Sequence, residues 1–311
     1  MVLHAAVRDF LATKPDSGDP AAPLDQRRAV IQHGSDELFA KFGKPAAPVH
    51  TEQDFNAGDV RLRVYRPSAA TGRPLHVFLH GGGFWLGSIA EQVNEAICRD
   101  RCRASGAVVV AVGYRLAPEH RFPAPVEDCY AGLRWAVEHA ESIGADPANV
   151  SIGGISAGAN LAAAVALLAR DRQGPPLRFQ ALEVPLLDLT LATMRGSTVG
   201  DAYGITAAEL RLCAELYLST PDDARNPYAS PLLAADLTGL PPTLIMTAQF
   251  DPLRGDGERY AIRLAEAGVP VSCQAYLGAV HGSLALTGAW PGALAWQHDL
   301  GTALRKAHLP G

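Results

Sequence analysis

No run of about 18 uninterrupted apolar residues occurs in the 311-residue sequence, so a membrane-spanning helix is not expected. The opening stretch, MVLHAAVRDFLATKPDSGDP, carries too short an apolar segment, broken by too many charges, to read as a secretory signal. The expectation is a cytoplasmic protein with no stable membrane association. Positive charge is not in excess either. With 27 Lys and Arg against 32 Asp and Glu, the net charge is -5 and offers no footprint for a phosphate backbone, which argues against nucleic acid as a partner. Cysteine is sparse and odd in number: Cys98, Cys102, Cys129, Cys213 and Cys273 form no disulfide framework. Cys98 and Cys102 stand one helical turn apart, but no second ligand pair follows. No metal is expected, and the cysteines read as small buried hydrophobes.

What remains is ordinary for a soluble globule. The chain is 48% hydrophobic and 19% charged, enough apolar material for a sizeable core. Its length suits one large α/β domain spanning residues 1–311. Short apolar runs predict strands over Arg61–Tyr65, His76–Leu79, Ala107–Val112, Val150–Ile152, Phe179–Val184, Thr243–Thr247 and Val271–Tyr276. Periodic stretches between them predict helices over Glu91–Ser105, Pro125–Ile143, Ala157–Arg170 and Asp256–Ala267. This alternation implies a mostly parallel sheet covered on both faces, with its chemistry at the strand C-termini. Two regions break the rhythm: residues 1–50, helical pieces joined by Pro15–Pro23, and residues 190–241, which hold a predicted helix near Ala207–Leu218. Lacking strands of their own, they are expected to form a cap over the C-terminal edge of the sheet.

One segment, VSIGGISAGANLAAAV at residues 151–166, places Ser156 between Gly154 and Gly158 where a strand gives way to a helix. In that context G-x-S-x-G describes a sharp turn that presents a nucleophile, the glycines letting strand and helix approach closely. A serine hydroxyl is weak near neutral pH and needs a base and a group to orient that base. Asp251 in TAQFDPLRGDG and His281 in YLGAVHGS each follow a predicted strand, so Ser, Asp and His fall at one edge in that chain order. Donors for a developing oxyanion are expected from the N–H groups of Gly82, Gly83 and Ala157, the first two in the HGGG that follows His76–Leu79.

HGGGFW, YRLAPEHRFPAP, GISAG, DPL and HG, in this order and spacing, resemble the hormone-sensitive-lipase-like branch of the α/β-hydrolases, bacterial esterases among them. The resemblance spans about residues 50–285. It implies an α/β-hydrolase fold with a cap in two pieces, and hydrolysis of short-chain acyl esters through an acyl-enzyme, without a cofactor. It also implies a small-molecule ester as the partner, in a branch whose members often form homodimers. Three positions depart from the branch's usual pattern: Ile155 stands where Asp is common, Ala159 where Gly is common, and Ser283 where an aromatic is common. The first removes a polar group beside the turn and the third is expected to widen the alcohol side of the site. The same acyl chemistry cleaves amides, so an amidase or arylformamidase is the alternative reading. The branch also resembles plant hormone receptors, which lack the histidine that is present here as His281.

Other residues compete for roles. Glu183 and Asp188, near the end of the preceding strand, are alternative orienting acids to Asp251. His80 reads as a structural support of the glycine loop rather than a second base. Arg115, Glu119, His120 and Arg121 read as an ion-paired scaffold. Trp85, Tyr203 and Ile155 are the candidates for the substrate pocket.

Overall fold

A computed structural model describes residues 3–13, 21–196 and 203–309; parts of both expected cap segments, Pro15 to Pro20 among them, lie outside the described residues. Eight strands form one sheet: β1 (Thr51–Ala57), β2 (Val60–Arg66), β3 (Arg73–Leu79), β4 (Val108–Gly113), β5 (Ala145–Ile155), β6 (Phe179–Glu183), β7 (Thr243–Ala248) and β8 (Val271–Tyr276). Their order is β1-β2-β4-β3-β5-β6-β7-β8. β1 and β2 pair antiparallel, as do β2 and β4, and every other pairing is parallel. The mostly parallel sheet expected from the β-α alternation is therefore present.

Alternation along the central strands feeds two cores. Val77 and Leu79 of β3 and Val108, Val110 and Val112 of β4 join the cluster on one face, while Phe78, Val109 and Ala111 join the cluster on the other. The first face is covered by α4 (Ala124–Glu138), α5 (Ala157–Asp171) and α7 (Arg254–Glu266); the second by α3 (Gln92–Ser105) and α8 (Pro291–Ala307). α5 is buried at every position from Ala157 to Ala169. Its alanines let it pass beneath neighbouring elements on all sides, which is where a helix apolar all round belongs. Cys98 and Cys102 are buried on α3, and all five cysteines are free.

Two elements go beyond the expected set. β1, with the sequence TEQDFNA, is a mostly polar edge strand that an apolar-run criterion passes over; its local signal is the two-residue Gly58-Asp59 connection to β2, with Gly58 at φ 61°. α8 buries Ala293, Trp296, Leu300 and Leu304, the spacing of one helix face. β5 starts at Ala145 rather than Val150, and α4 stops at Glu138 rather than Ile143, because the chain turns at Gly144 with φ 81°.

Among the described residues, the segments outside the alternation carry the expected helices. α1 (Ala5–Thr13) and α2 (Leu24–Phe42) precede the sheet, and α6 (Ala207–Tyr217) lies in the long connection between β6 and β7. α6 opens with a reciprocal cap in which Thr206 and Glu209 satisfy each other's main-chain donors. No helix among the described residues is long and apolar enough to cross a membrane.

Candidate active site

The turn between β5 and α5 carries the strain that the sequence suggests. Ser156 has φ 57° and ψ -116°, a conformation that costs a non-glycine residue about 1–3 kcal/mol and needs support from its surroundings. That support is visible in the main chain: Ser156 N–H donates to Glu183 O at 2.8 Å, and Asn160 N–H donates to Ser156 O at 3.0 Å. The flanking glycines are required sterically. A Cβ at Gly154 would lie 2.7 Å from Leu79 O, and one at Gly158 would collide with the carbonyl oxygens of Leu79 and His80.

Strand ends bring the three distant side chains together. Asp251 follows β7 and His281 follows β8, so both stand on the rim where β5 ends in Ser156. His281 Nε2 lies 2.9 Å from Ser156 Oγ, and His281 Nδ1 lies 2.7 Å from Asp251 Oδ2. A carboxylate only accepts, so Nδ1 carries the ring proton and Nε2 is left to accept from the serine hydroxyl. Asp251 is buried, and its Oδ1 accepts from the N–H of Leu253 at 2.9 Å, which fixes the carboxylate plane.

The glycine loop after β3 borders the same space. Gly82 and Gly83 have φ of 122° and 59°, conformations that L side chains rarely adopt. Among the described residues their N–H groups have no main-chain acceptor, and Ala157 is the first residue of α5, where helix N–H groups also lack one. Gly82 and Gly83 line the cavity beside Ser156. His80 holds the loop from below. Its ring stacks on Tyr114 with centroids 4.3 Å apart, its Nδ1 is 2.8 Å from Gly81 O, and Tyr114 Oη donates to His80 O at 2.9 Å. Burial pushes the His80 imidazole down to about 4, so it stands neutral near pH 7.

A cavity of about 750 Å³ opens over Ser156 and His281, walled by α1, α2, the start of α6 and the glycine loop. Trp85 and Ile155 line it, together with Phe10, Leu38 and Leu210. Tyr203 does not: its ring lies flat on Phe250 at 4.8 Å, and Gly204 and Ile205 form the wall there. Ser283 is fully buried, and its hydroxyl folds back to donate to Val280 O at 2.8 Å and accept from Val280 N–H at 3.0 Å. Phe10 of α1 instead closes on Gly282, so an aromatic from a distant segment flanks His281.

The competing acids have other partners. Glu183 accepts from Arg101 and from Trp296 Nε1 (2.7 Å), all of it buried, and Asp188 accepts from Thr190 N–H and Oγ1. In the scaffold loop two of the four residues are ion-paired, Arg115 with Asp128 and Glu119 with Arg28, while Arg121 instead caps the carbonyls of Glu215 and Leu218. Further carboxyls escaped the sequence reading. Glu91 lines the cavity, and burial together with the nearby Asp36 raises it to about 7. Asp256 accepts from Leu187 N–H, Asp188 N–H and Thr193 Oγ1 while burial raises it to about 7. Neither sits in a recognisable motif. Asn160 is more legible in retrospect, because an amide one turn into an otherwise apolar buried helix needs partners; it donates to Leu186 O and Ala229 O. No group of His, Cys, Asp and Glu among the described residues is arranged to hold a metal ion.

This geometry agrees with what the chain is similar to. Residues 76–285 match the model of a family described by its alpha/beta hydrolase fold. The chain therefore belongs to the α/β-hydrolases, in their hormone-sensitive-lipase-like branch. It is 44% identical over 260 residues to the carboxylic ester hydrolase LipN of Mycobacterium tuberculosis, covering 81% of this chain and 68% of that one. It is 35% identical to the ethyl acetate hydrolase of Pseudomonas putida, covering 84% of this chain and 83% of that one. Among solved structures, the hyperthermophilic esterase from Pyrobaculum calidifontis superposes with a TM-score of 0.91 at 35% identity, over 98% of this chain and 99% of that chain.

Proposed function

We infer that this hydrolase is a serine carboxylesterase acting on short-chain acyl esters. The observation that carries the reading is the continuous chain Ser156 Oγ, His281, Asp251, at 2.9 and 2.7 Å, opening into a largely apolar cavity. Ser156 Oγ attacks the ester carbonyl while His281 Nε2 takes its proton. Asp251 holds the imidazole in the required tautomer and stabilises the imidazolium that forms. The carbonyl oxygen, now negative, is received by the N–H groups of Gly82, Gly83 and Ala157, each such donor contributing about 3 kcal/mol to the transition state. His281 then protonates the departing alcohol, and the same imidazole activates the water that releases the acid. Residues 1–50 and 190–241 act as the cap in this reading, and Phe10, Leu38 and Leu210 set how long an acyl chain the cavity accepts. The chain forms one domain, with catalysis at the sheet edge and selection in the cap.

Replacing Ser156 by Ala tests the assignment. Hydrolysis of p-nitrophenyl butyrate should fall by on the order of 10⁴ or more, with the circular dichroism spectrum unchanged. Appreciable turnover by S156A removes Ser156 as nucleophile. A p-nitrophenyl ester series from acetate to palmitate, run beside matched anilides, tests the substrate class. Activity concentrated on the long chains, or on the anilides, overturns the short-chain esterase reading.

A further inference from the structure

We propose that Arg28, on cap helix α2, is a positioning residue that holds the glycine loop in its oxyanion-binding conformation. The proposal rests on the esterase reading and deepens it. Arg28 reaches across from α2 and donates from Nε to Trp85 O at 2.8 Å and from Nη2 to Ala117 O at 2.5 Å, while Nη1 and Nη2 meet the Glu119 carboxylate at 2.8 and 2.7 Å. One planar guanidinium thus ties three segments together: the cap, the glycine loop and the 115–119 loop. Its planar fork makes these bonds simultaneously, which a lysine ammonium cannot do. The ion pair holds the Glu119 carboxyl down at about 2, so the pairing persists across the working pH range.

Trp85 lies two residues past Gly83, and the segment between is strained, with Phe84 buried and stacked on Tyr217 at 3.9 Å. Phe84 has φ 68°, although it is a non-glycine residue, and Gly82 and Gly83 are also left-handed. Within the loop, Trp85 N–H and Leu86 N–H both donate to Gly82 O, so the Trp85 peptide and the Gly82 peptide move as one unit. Ala117 N–H donates to Phe84 O at 3.0 Å, which places both carbonyls bound by Arg28 on segments that are themselves bonded to each other. The Arg27 guanidinium lies 5.3 Å over the Trp85 ring, a second grip from the same helix. The carbonyl of Trp85 is therefore the point at which cap docking reaches the amides that receive the oxyanion. Arg28 touches no reacting atom, and its effect passes through the loop.

Three variants, Arg28→Met, Arg28→Lys and Glu119→Gln, test this with p-nitrophenyl butyrate. Active-site titration with a p-nitrophenyl phosphonate counts the competent serines, so kcat is expressed per reactive site and a loss of folded protein does not enter it. R28M is expected to lose ten- to a hundredfold in kcat with KM within threefold. Inhibition by butyl trifluoromethyl ketone, whose adduct places an oxyanion against the loop amides, should weaken by the same factor. R28K should fall in between, and E119Q, which keeps both carbonyl bonds, should stay within twofold of the parent. If R28M yields too few titratable sites, R28K and E119Q decide: loss in R28K alone supports the proposal. Equal losses in those two, or a loss confined to KM, or an unchanged ketone affinity, overturns it. A chain with no titratable serine in the unmutated protein would instead overturn the esterase reading itself.

Discussion

Ser151 Oγ lies 2.9 Å from Nε2 of His308, whose Nδ1 lies 2.7 Å from Oδ1 of Asn149. By distances alone this Ser-His-Asn set matches the Ser156-His281-Asp251 set, whose serine stands five residues on, just past the end of the same strand. Its location separates the two. Ser151 is fully buried inside β5, lines no part of the cavity over Ser156, and commits its hydroxyl to Leu75 O (3.3 Å) and the His76 ring (2.9 Å) as well. No ester can reach it. The set fastens the end of α8 to the middle of the sheet.

Ser151→Ala should therefore cost stability without touching turnover. Removing the hydroxyl leaves ring nitrogens of His76 and His308 short of a partner in the interior, at about 1–3 kcal/mol. The urea midpoint should drop while kcat for p-nitrophenyl butyrate per folded molecule stays constant. A collapse of kcat in S151A with an unchanged midpoint would contradict the structural role.

The buried imidazoles also make stability depend on pH. Burial holds His308 and His80 down to about 4, and drives His76 well below the usual imidazole range. An unfolded chain protonates its histidines near ~6.5, so between these values the unfolded state binds more protons and unfolding free energy rises with pH. The contribution is complete above the unfolded value and is lost as pH falls toward 4. Asp256 and Glu91, raised to about 7, act with the opposite sign over much of the same window, because there the folded state holds the extra proton. The unmutated curve is accordingly shallow, and a variant isolates one component. The stability gap between the parent and His308→Gln should widen by about 2 kcal/mol from pH 5 to pH 7, read by urea unfolding at each pH. A gap that narrows over that range would show that His308 is charged in the fold.

Asp251 and Glu183 were both candidates for the orienting acid, and they should separate by phenotype. Asp251→Asn keeps the shape of the site but loses the carboxylate that fixes the tautomer; kcat should fall by about 10⁴ with little change in stability. Glu183→Gln should do the reverse. It leaves the Arg101 guanidinium buried over Phe78 at 4.5 Å without its counter-charge, a loss of about 3–5 kcal/mol. Thermal unfolding and kcat measured on both variants give the contrast, and a large kcat loss at full stability in E183Q would reassign the acid.

Much of this was legible because it is local. Strand-turn-helix around Ser156, glycines after β3, and an acid and a histidine just past two further strands each leave a short signature, and a parallel sheet puts all such ends on one rim. The contacts that α2 makes are not local. Arg28 meets Glu119 and Trp85 across 91 and 57 residues, and nothing near it in sequence marks it out from Arg27. Tyr203 lies outside the cavity wall for the same reason: which way a loop side chain faces depends on what packs over it, here Phe250. Glu183 stands out in the sequence as a carboxylate at the end of a buried strand, which announces that some partner must exist, but that partner, Arg101, lies 82 residues away.

The tightest steric requirement at the turn gives the last test. Gly158 packs its Cα against the ends of β3, where a Cβ would collide with the carbonyl oxygens of Leu79 and His80; both are backbone atoms and cannot swing aside. Gly158→Ala must therefore push the first turn of α5 away from the segment that leads into the glycine loop, separating Ser156 from the amides across the cavity. Overpacking of this kind costs about 1–3 kcal/mol, and the displacement should lower kcat at least tenfold. Gly268→Ala is the matched control. Gly268 has φ 75° and nothing within 4 Å of where a Cβ would stand, so alanine there meets backbone strain of about 1–2 kcal/mol but no neighbour. If lost stability alone mattered, both variants would be destabilised and keep their turnover. Loss of turnover in G158A but not in G268A, each measured as kcat per titrated serine, is the outcome expected from close packing at the turn.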